Sequence, residues 1–380
     1  MVLRDHCAHA RFVWNLAVEQ QSWWRPGRAG APGYLEQCRQ LTAARAEHDW
    51  LRAGSQMIQQ QALRDFAWAM DRFFTGTHRK PLWRKAGQNE GFRVVAVRPG
   101  HVRRLSRSTG ALRVPKAAWV RFRWSRAVLE ARSYRVTLDR VGRWHVAFAA
   151  IPEPVPAPGT RAVVGVDRGV AVSAALSTGE LLTAPRLSAG RQRRLQRLQR
   201  RLSRARRGSG RRGRVKRAVA RLKAREADAR KDWAEKISTD LALRFEVIRV
   251  EDLRIKNMTG SARGTADAPG RNVRQKAGLN REILASGWGL LVRRLEDKAP
   301  GRVEKVSPAF TSQRCSVCGC VDPKSRESQA SFRCTACGFT CNADVNAARN
   351  IAAGHAVTAR ECPGLPGRVN REPQLALLPA

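Results

Sequence analysis

Apolar residues recur at helical spacing through residues 1–75. Phe12, Val13, Leu16, Ala17 and Gln20 trace one face of a first helix, which a Pro/Gly-rich stretch at 26–33 ends. A second helix is predicted over about 34–48 and a third over about 55–74. In the third, Ile58, Leu63, Phe66, Met70, Phe73 and Phe74 fall near one stripe and read as core. From residue 79 the period shortens. Segments 92–97, 112–115, 120–124, 133–138 and 144–148 alternate as strands do, with arginine often at the outward positions. Such a face suits either solvent or a nucleic-acid strand stacked among Trp and Phe. Pro152, Pro154, Pro156 and Pro158 then form a stiff linker, and a domain boundary is expected there.

Beyond the linker, a buried strand over 162–166 delivers Asp167 at its end. Gly169 turns the chain, a second strand runs over 170–176, and a turn at 177–180 leads to Leu181 and Leu182. Residues 188–242 read as a helical hairpin. Leu195, Leu198 and Leu202 mark one arm, residues 208–213 the bend, and Val215, Val219, Leu222, Trp233, Ile237 and Leu241 the other arm. A strand over 246–250 ends in Glu251, which follows the apolar alternation, with Asp252 as the rival acid. A basic, Gly-rich loop to Arg274, expected to be mobile, precedes one amphipathic helix over 279–298 and a strand over 303–306. A last helix, about 343–353, carries Asp344 in its first turn, and the tail after Gly354 reads as disordered. The pattern is mixed α/β. A hairpin following a buried strand with a terminal Asp is how a ribonuclease-H-like fold begins.

Charge identifies the class of partner. The 380 residues carry 72 Lys+Arg against 31 Asp+Glu, a net charge of +41, far beyond what solubility requires and suited to a polyanion. Between Arg191 and Lys231 stand 19 Lys+Arg in 41 residues, with only Glu226 and Asp228 acidic. Without a polyanion such an arm would repel itself. Arg193, Arg194, Arg197, Arg200, Arg201, Arg204, Arg211, Arg212, Arg214, Lys216 and Arg217 are therefore the candidate nucleic-acid contacts. A membrane surface is the other polyanion to consider, but the chain shows no lipidation motif, amphipathic anchor or run of membrane-spanning length.

Cys315-x2-Cys318 and Cys334-x2-Cys337 are separated by fifteen residues, and Gly319 and Gly338 follow the second cysteine of each pair. This is the spacing of two zinc knuckles sharing one structural Zn²⁺. Disulfide pairing is the competing reading. The first residues, Met1-Val2-Leu3-Arg4-Asp5-His6, have no apolar leader-like run, so a reducing cytoplasm and metal binding are expected. Cys320 and Cys341 are poorer-spaced competitors, and Cys7, Cys38 and Cys362 read as ordinary residues. Asp167, Glu251 and Asp344 are two strand-end acids and one helix-borne acid. Converged, they would hold Mg²⁺ or Mn²⁺ through oxygen ligands for two-metal phosphodiester cleavage.

Gly165-Val166-Asp167-Arg168-Gly169, Val250-Glu251-Asp252-Leu253, Thr311-Ser312-Gln313-Arg314-Cys315-Ser316-Val317-Cys318-Gly319 and the block from Phe332 to Ile351 resemble the TnpB family. These are RNA-guided nucleases of bacterial insertion sequences, often labelled transposases and similar to type V CRISPR effectors. The resemblance covers about residues 8–353 and is most specific at the C-terminal block. It implies a helical recognition module (1–78), a β-rich, barrel-like wedge module (79–151) and the linker (152–160). A RuvC-like nuclease domain (161–310) carrying the basic hairpin 188–242 follows, then the zinc ribbon (311–341), the last RuvC helix (342–353) and the tail (354–380). It also implies a guide RNA and a target DNA as partners, with Asp167, Glu251 and Asp344 as the catalytic acids. The competing functions are a nuclease-inactive RNA-guided repressor and a DNA-joining transposase. Two departures stand out: relatives usually begin with a basic strand of some twenty residues, where this chain leads almost directly into helix, so either the start is misassigned or the strand has been lost, and Glu235 stands where relatives commonly have His.

Overall fold

The computed structural model describes residues 2–354 apart from 25, 26, 28 and 29. The expected disordered tail and Cys362 lie outside the described residues. The chain divides into two compact units that meet in sequence at Pro152 and Glu153.

The first unit opens with helices α1 (Val2–Ser22), α2 (Tyr34–Glu47), α3 (Asp49–Ala53) and α4 (Gln56–Phe74). The buried face of α1 differs from the expected one. It is His6, Cys7, Ala10, Val13, Trp14, Ala17 and Val18, while Phe12 is 43% exposed. The physical reason is distant hydrogen bonding. His6 Nε2 pairs with the Pro115 carbonyl at 2.8 Å, and Trp14 Nε1 donates to the Leu82 carbonyl at 2.9 Å, so two polar-tipped rings can go inside. Trp14 meets Phe66 of α4 edge-to-face at 5.4 Å. Ile58, Leu63, Phe66 and Met70 are buried as expected, whereas Phe74 is exposed.

The strands of this unit are β1 (Gly91–Val95), β2 (Val102–Arg104), β3 (Thr109–Arg113), β4 (Trp119–Arg123), β5 (Ser133–Leu138) and β6 (Trp144–Phe148). Their ladders form two three-stranded antiparallel sheets, β1-β5-β6 and β2-β3-β4.

The second unit is built on a five-stranded sheet of β7 (Val163–Asp167), β8 (Ala174–Leu176), β9 (Leu181–Leu182), β10 (Val247–Glu251) and β11 (Val303–Val306), in the order β11-β10-β7-β8-β9. β7, β8 and β9 are antiparallel neighbours, and β10 and β11 run parallel to β7. Its helices are α5 (Ala189–Arg204), α6 (Gly210–Arg244), α7 (Ile255–Met258), α8 (Val273–Ser286), α9 (Trp288–Lys298) and α10 (Ala343–Ala353). A small hairpin, β12 (Ser331–Arg333) and β13 (Thr340–Asn342), precedes α10. One core gathers Val164, Val166, Ile248 and Val250 from the sheet with Leu241 of α6 and Leu291 and Leu295 of α9.

The single helix expected over 279–298 is two helices broken at Gly287, whose φ of 75° is left-handed. A Cβ there would stand 2.8 Å from Arg230 Cδ, so both conformation and space favour glycine. The segment expected to be a mobile loop before Arg274 contains α7. Asn280 Nδ2 donates at 3.0 Å to the carbonyls of Thr259 and Gly260 and ties this stretch to α8. Glu235 joins α6 to α9 through Lys298 Nζ at 3.0 Å, which gives the acid at this unusual position a partner. No helix among the described residues is long and apolar enough to cross a membrane.

Candidate active site

In the parallel pair, Arg249 stands opposite Gly165 and Val250 opposite Val166. The next residue of each strand is an acid, so Asp167 and Glu251 end side by side. Alternation sends Val164, Val166, Ile248 and Val250 into the core and Gly165, Asp167, Arg249 and Glu251 to the opposite face. That face is covered by α10: Arg249 Nη1 donates to the Ala352 carbonyl at 2.6 Å. A Cβ on Gly165 would overlap the Ala348 carbonyl oxygen and the Ala352 nitrogen. Glycine at 165 thus lets the helix lie directly on the strand. The rival acid, Asp252, is exposed and falls on the other parity.

Asp344 enters from the first turn of α10. Asn342 caps that helix, its Oδ1 accepting from the N–H groups of Asp344 at 3.0 Å and Val345 at 3.2 Å. Asp167 senses the other two acids. Burial, then the charges of Glu251 and Asp344, push the Asp167 carboxyl up to about 8, against the pull of Arg326 and the Arg168 N–H. Burial also raises Glu251, opposed by the Thr311 hydroxyl and by Arg168 and Arg326, and it raises Asp344, opposed by Arg326.

Sequence reasoning missed several residues here. Arg326, from the middle of the zinc-ribbon segment, places Nη2 3.3 Å from Asp344 Oδ1. Arg168 is buried and donates to the Glu251 carbonyl, while its Nε has no hydrogen-bond partner. Thr311 Oγ1 donates to Glu251 Oε1 at 2.7 Å. Thr311 and Arg168 lie inside segments singled out for other reasons. Arg326 has no local signal.

The four cysteines converge as the spacing predicts. The Sγ atoms of Cys315, Cys318, Cys334 and Cys337 all lie within 4.8 Å of one another, with Cys315–Cys337 at 3.7 Å and Cys318–Cys334 at 3.5 Å. Tetrahedral zinc–thiolate bonds of about 2.3 Å require sulfurs roughly 3.8 Å apart, so the set fits a structural zinc ion. Cys320 and Cys341 are outside this quartet. Among the described residues no other group of metal-ligating side chains is so close-set, the three acids included.

The basic hairpin is α5 and α6, joined at Ser209, whose side chain accepts from Arg212 N. Arg212 is half-buried and caps α5 by donating to the carbonyls of Leu202 at 2.6 Å and Ala205 at 2.9 Å, so it closes the hairpin. Arg193, Arg194, Arg197, Arg200, Arg201, Arg204, Arg211, Arg214, Lys216 and Arg217 line its two arms, most of them exposed.

Two family models match the chain. "Cas12f1-like, TNB domain" covers residues 288–351 and "Probable transposase" covers residues 145–262. Over 368 residues the chain is 37% identical to InsQ of Escherichia coli (strain K12), described as a candidate RNA-guided DNA endonuclease; the match takes in 94% of this chain and 89% of the relative. It is 32% identical over 362 residues to a protein of like description from Streptomyces pristinaespiralis, across 92% of this chain and 84% of the relative. The fold is similar to that of Cas12f1 in a cryo-EM structure of its complex with sgRNA and target DNA. The TM-score is 0.55 at 14% identity, covering 92% of this chain and 81% of the other. With its strand-end acids, its four-thiol centre and near full-length kinship to InsQ, the chain belongs to the TnpB (OrfB, IS605-type) family of RNA-guided endonucleases.

Proposed function

We propose that this chain is an RNA-guided DNA endonuclease that hydrolyses the target backbone at Asp167, Glu251 and Asp344. The observation that supports the assignment is that two parallel strand ends and one helix N-terminus bring Asp167, Glu251 and Asp344 near enough for the charges of the other two to raise Asp167. Numbered from β7, the sheet order reads 3-2-1-4-5, which supports a ribonuclease-H-like, RuvC-type core. The zinc ribbon is inserted before its last acid.

The donor set is all oxygen, the preference of Mg²⁺ and Mn²⁺. All three carboxyls are held above their ordinary range by burial and, at Asp167, by like charge, a condition that divalent cations relieve. Two such ions, when bound, supply an activated water and counter-charge for the leaving oxygen. The chain's own residues orient the reaction. Asp167 and Glu251 are fixed by the sheet register and Asp344 by the Asn342 cap. Arg326 offers planar N–H donors beside Asp344, suited to a non-bridging phosphate oxygen. RNA guidance is carried over from the family. The charge of +41 and the exposed hairpin arginines supply the capacity to hold guide RNA and target DNA. None of the three acids is lost from the sequence, which favours the nuclease over an RNA-guided repressor, and a requirement for RNA separates it from a DNA-joining transposase.

The test is purification of the chain with its co-expressed RNA. Asp167→Ala, Glu251→Ala and Asp344→Ala should each abolish cutting of guide-matched DNA and leave RNA co-purification intact. Full cutting by any one variant removes that residue from the site, and absence of bound RNA overturns guidance.

A further inference from the structure

Glu251 is gripped from outside the sheet. Thr311 is buried, and its Oγ1 lies 2.7 Å from Glu251 Oε1 and 3.2 Å from the Pro308 carbonyl. A hydroxyl has one proton to give, and the shorter bond, to a carboxylate, is the stronger of the two. The backbone around Thr311 is pinned from the opposite side. Asn350 Nδ2 donates to the Thr311 carbonyl at 2.9 Å and to the Arg314 carbonyl at 2.8 Å. Asn346 Nδ2 donates to the Arg314 carbonyl at 2.7 Å, and its Oδ1 accepts from Ser316 N at 3.0 Å. Both asparagines are buried on α10, the helix that presents Asp344. One turn, 311–316, therefore links the helix-borne acid to the strand-borne acid.

We infer that Thr311 is a positioning residue for the acid site, fixing the carboxylate of Glu251 through Oε1 so that Oε2 is the oxygen left to coordinate a divalent cation. The inference rests on the reading of Asp167, Glu251 and Asp344 as a metal site. Neither the sheet register nor the Asn342 cap restrains the Glu251 rotamer, whereas this bond does. Partners one bond removed from a metal typically change its affinity by roughly 10–100-fold.

Thr311→Val keeps the side-chain shape and deletes the hydroxyl. Mn²⁺ binding to the zinc-loaded, nuclease-treated full chain, read by calorimetry and by electron paramagnetic resonance, should weaken by about tenfold or more. Zinc content should stay at the wild-type level, and Thr311→Ser should restore the affinity. Wild-type Mn²⁺ affinity in Thr311→Val overturns the proposal by leaving the hydroxyl idle, and zinc loss in that variant overturns it by making Thr311 a fold residue. Asp167→Ala separates the two claims: if it too binds Mn²⁺ like the wild type, the metal-site reading fails and takes the inference with it.

Discussion

Replacing Asp167 by asparagine should stabilise the protein in the absence of Mg²⁺ and Mn²⁺, and do so more at pH 8 than at pH 5. Asp167 is pushed from 3.8 to about 8 by burial and by the charges of Glu251 and Asp344. The folded chain thus keeps a proton that the unfolded chain releases from about pH 4 upward, and stability falls as pH rises from about 4 through about 8. One pKa unit corresponds to about 1.4 kcal/mol, so the full shift would amount to ~6 kcal/mol at alkaline pH. Dipole relaxation and water entry reduce such figures, and ~2–4 kcal/mol at pH 8 is expected. Asparagine keeps the shape and carries no charge to repel its neighbours. For a unit of this size the gain corresponds to roughly 5–15 °C in Tm. At pH 5 the gain should shrink to about 1 kcal/mol.

The assay is thermal unfolding of zinc-loaded wild type and Asp167→Asn at both pH values, in buffer free of other divalent cations and without chelator. Millimolar Mg²⁺ should then raise the wild-type Tm more than that of the variant, because only the wild type retains all three carboxylate ligands. A variant that melts at or below the wild type at pH 8, or that gains equally at both pH values, would refute the electrostatic account of the site.

Three further outcomes follow from the same geometry. Gly165→Ala should force α10 off β7, since its Cβ would overlap the backbone at Ala348 and Ala352. An ångström-scale displacement of Asp344 should lower cleavage about 100-fold while RNA binding persists, and unchanged single-turnover rates would contradict this. Cys318→Ser should reduce zinc from about one per chain and lower the melting temperature of the C-terminal segment, measured by metal analysis and calorimetry; full zinc content would exclude Cys318 as a ligand. Changing Arg193, Arg197, Arg200 and Arg204 together to glutamine should flatten the salt dependence of nucleic-acid binding, by roughly 0.7–0.9 in log–log slope for each phosphate no longer neutralised. An unchanged slope would make the hairpin a solvated arm. Arg212→Gln should instead loosen the hairpin, because Arg212 caps α5.

The ends of β7 and β10 were legible because each is a short apolar run that stops at an acid, and in a strand the residue two before the acid and the acid itself share one face. The same parity puts Glu251 and Asp252 on opposite faces of the sheet. The cysteine quartet was legible because knuckle spacing is local. What the sequence concealed depends on partners far along the chain. His6 and Trp14 were not placed on the predicted stripe, and the acceptors that let them go inside, the carbonyls of Pro115 and Leu82, lie far along the chain. Phe12 looked suited to it and lies exposed. The break at Gly287 was hidden because apolar periodicity continues on both sides of it, and only Arg230 packed against the glycine gives the position its reason. Thr311 and Arg326 act on acids 60 and 18 residues away, and no window of local pattern spans those separations.

The place of the zinc ribbon in the chain has a physical logic. The chain leaves the sheet at β11 and must return over β7 as α10 to deliver Asp344. Asn346 and Asn350 close the base of that excursion by holding the 311–316 turn against α10, and the turn in its own right holds Glu251. Glu251 and the helix that carries Asp344 are thereby tied to the base of the insertion. The outer part delivers one group, Arg326, whose position depends on the knuckles and on the Asp322–Thr335 bond at 2.7 Å. The ribbon therefore reaches the acids by two routes. The route through Thr311 is stitched to the helix. The route through Arg326 is carried by the fold that the four thiolates hold together.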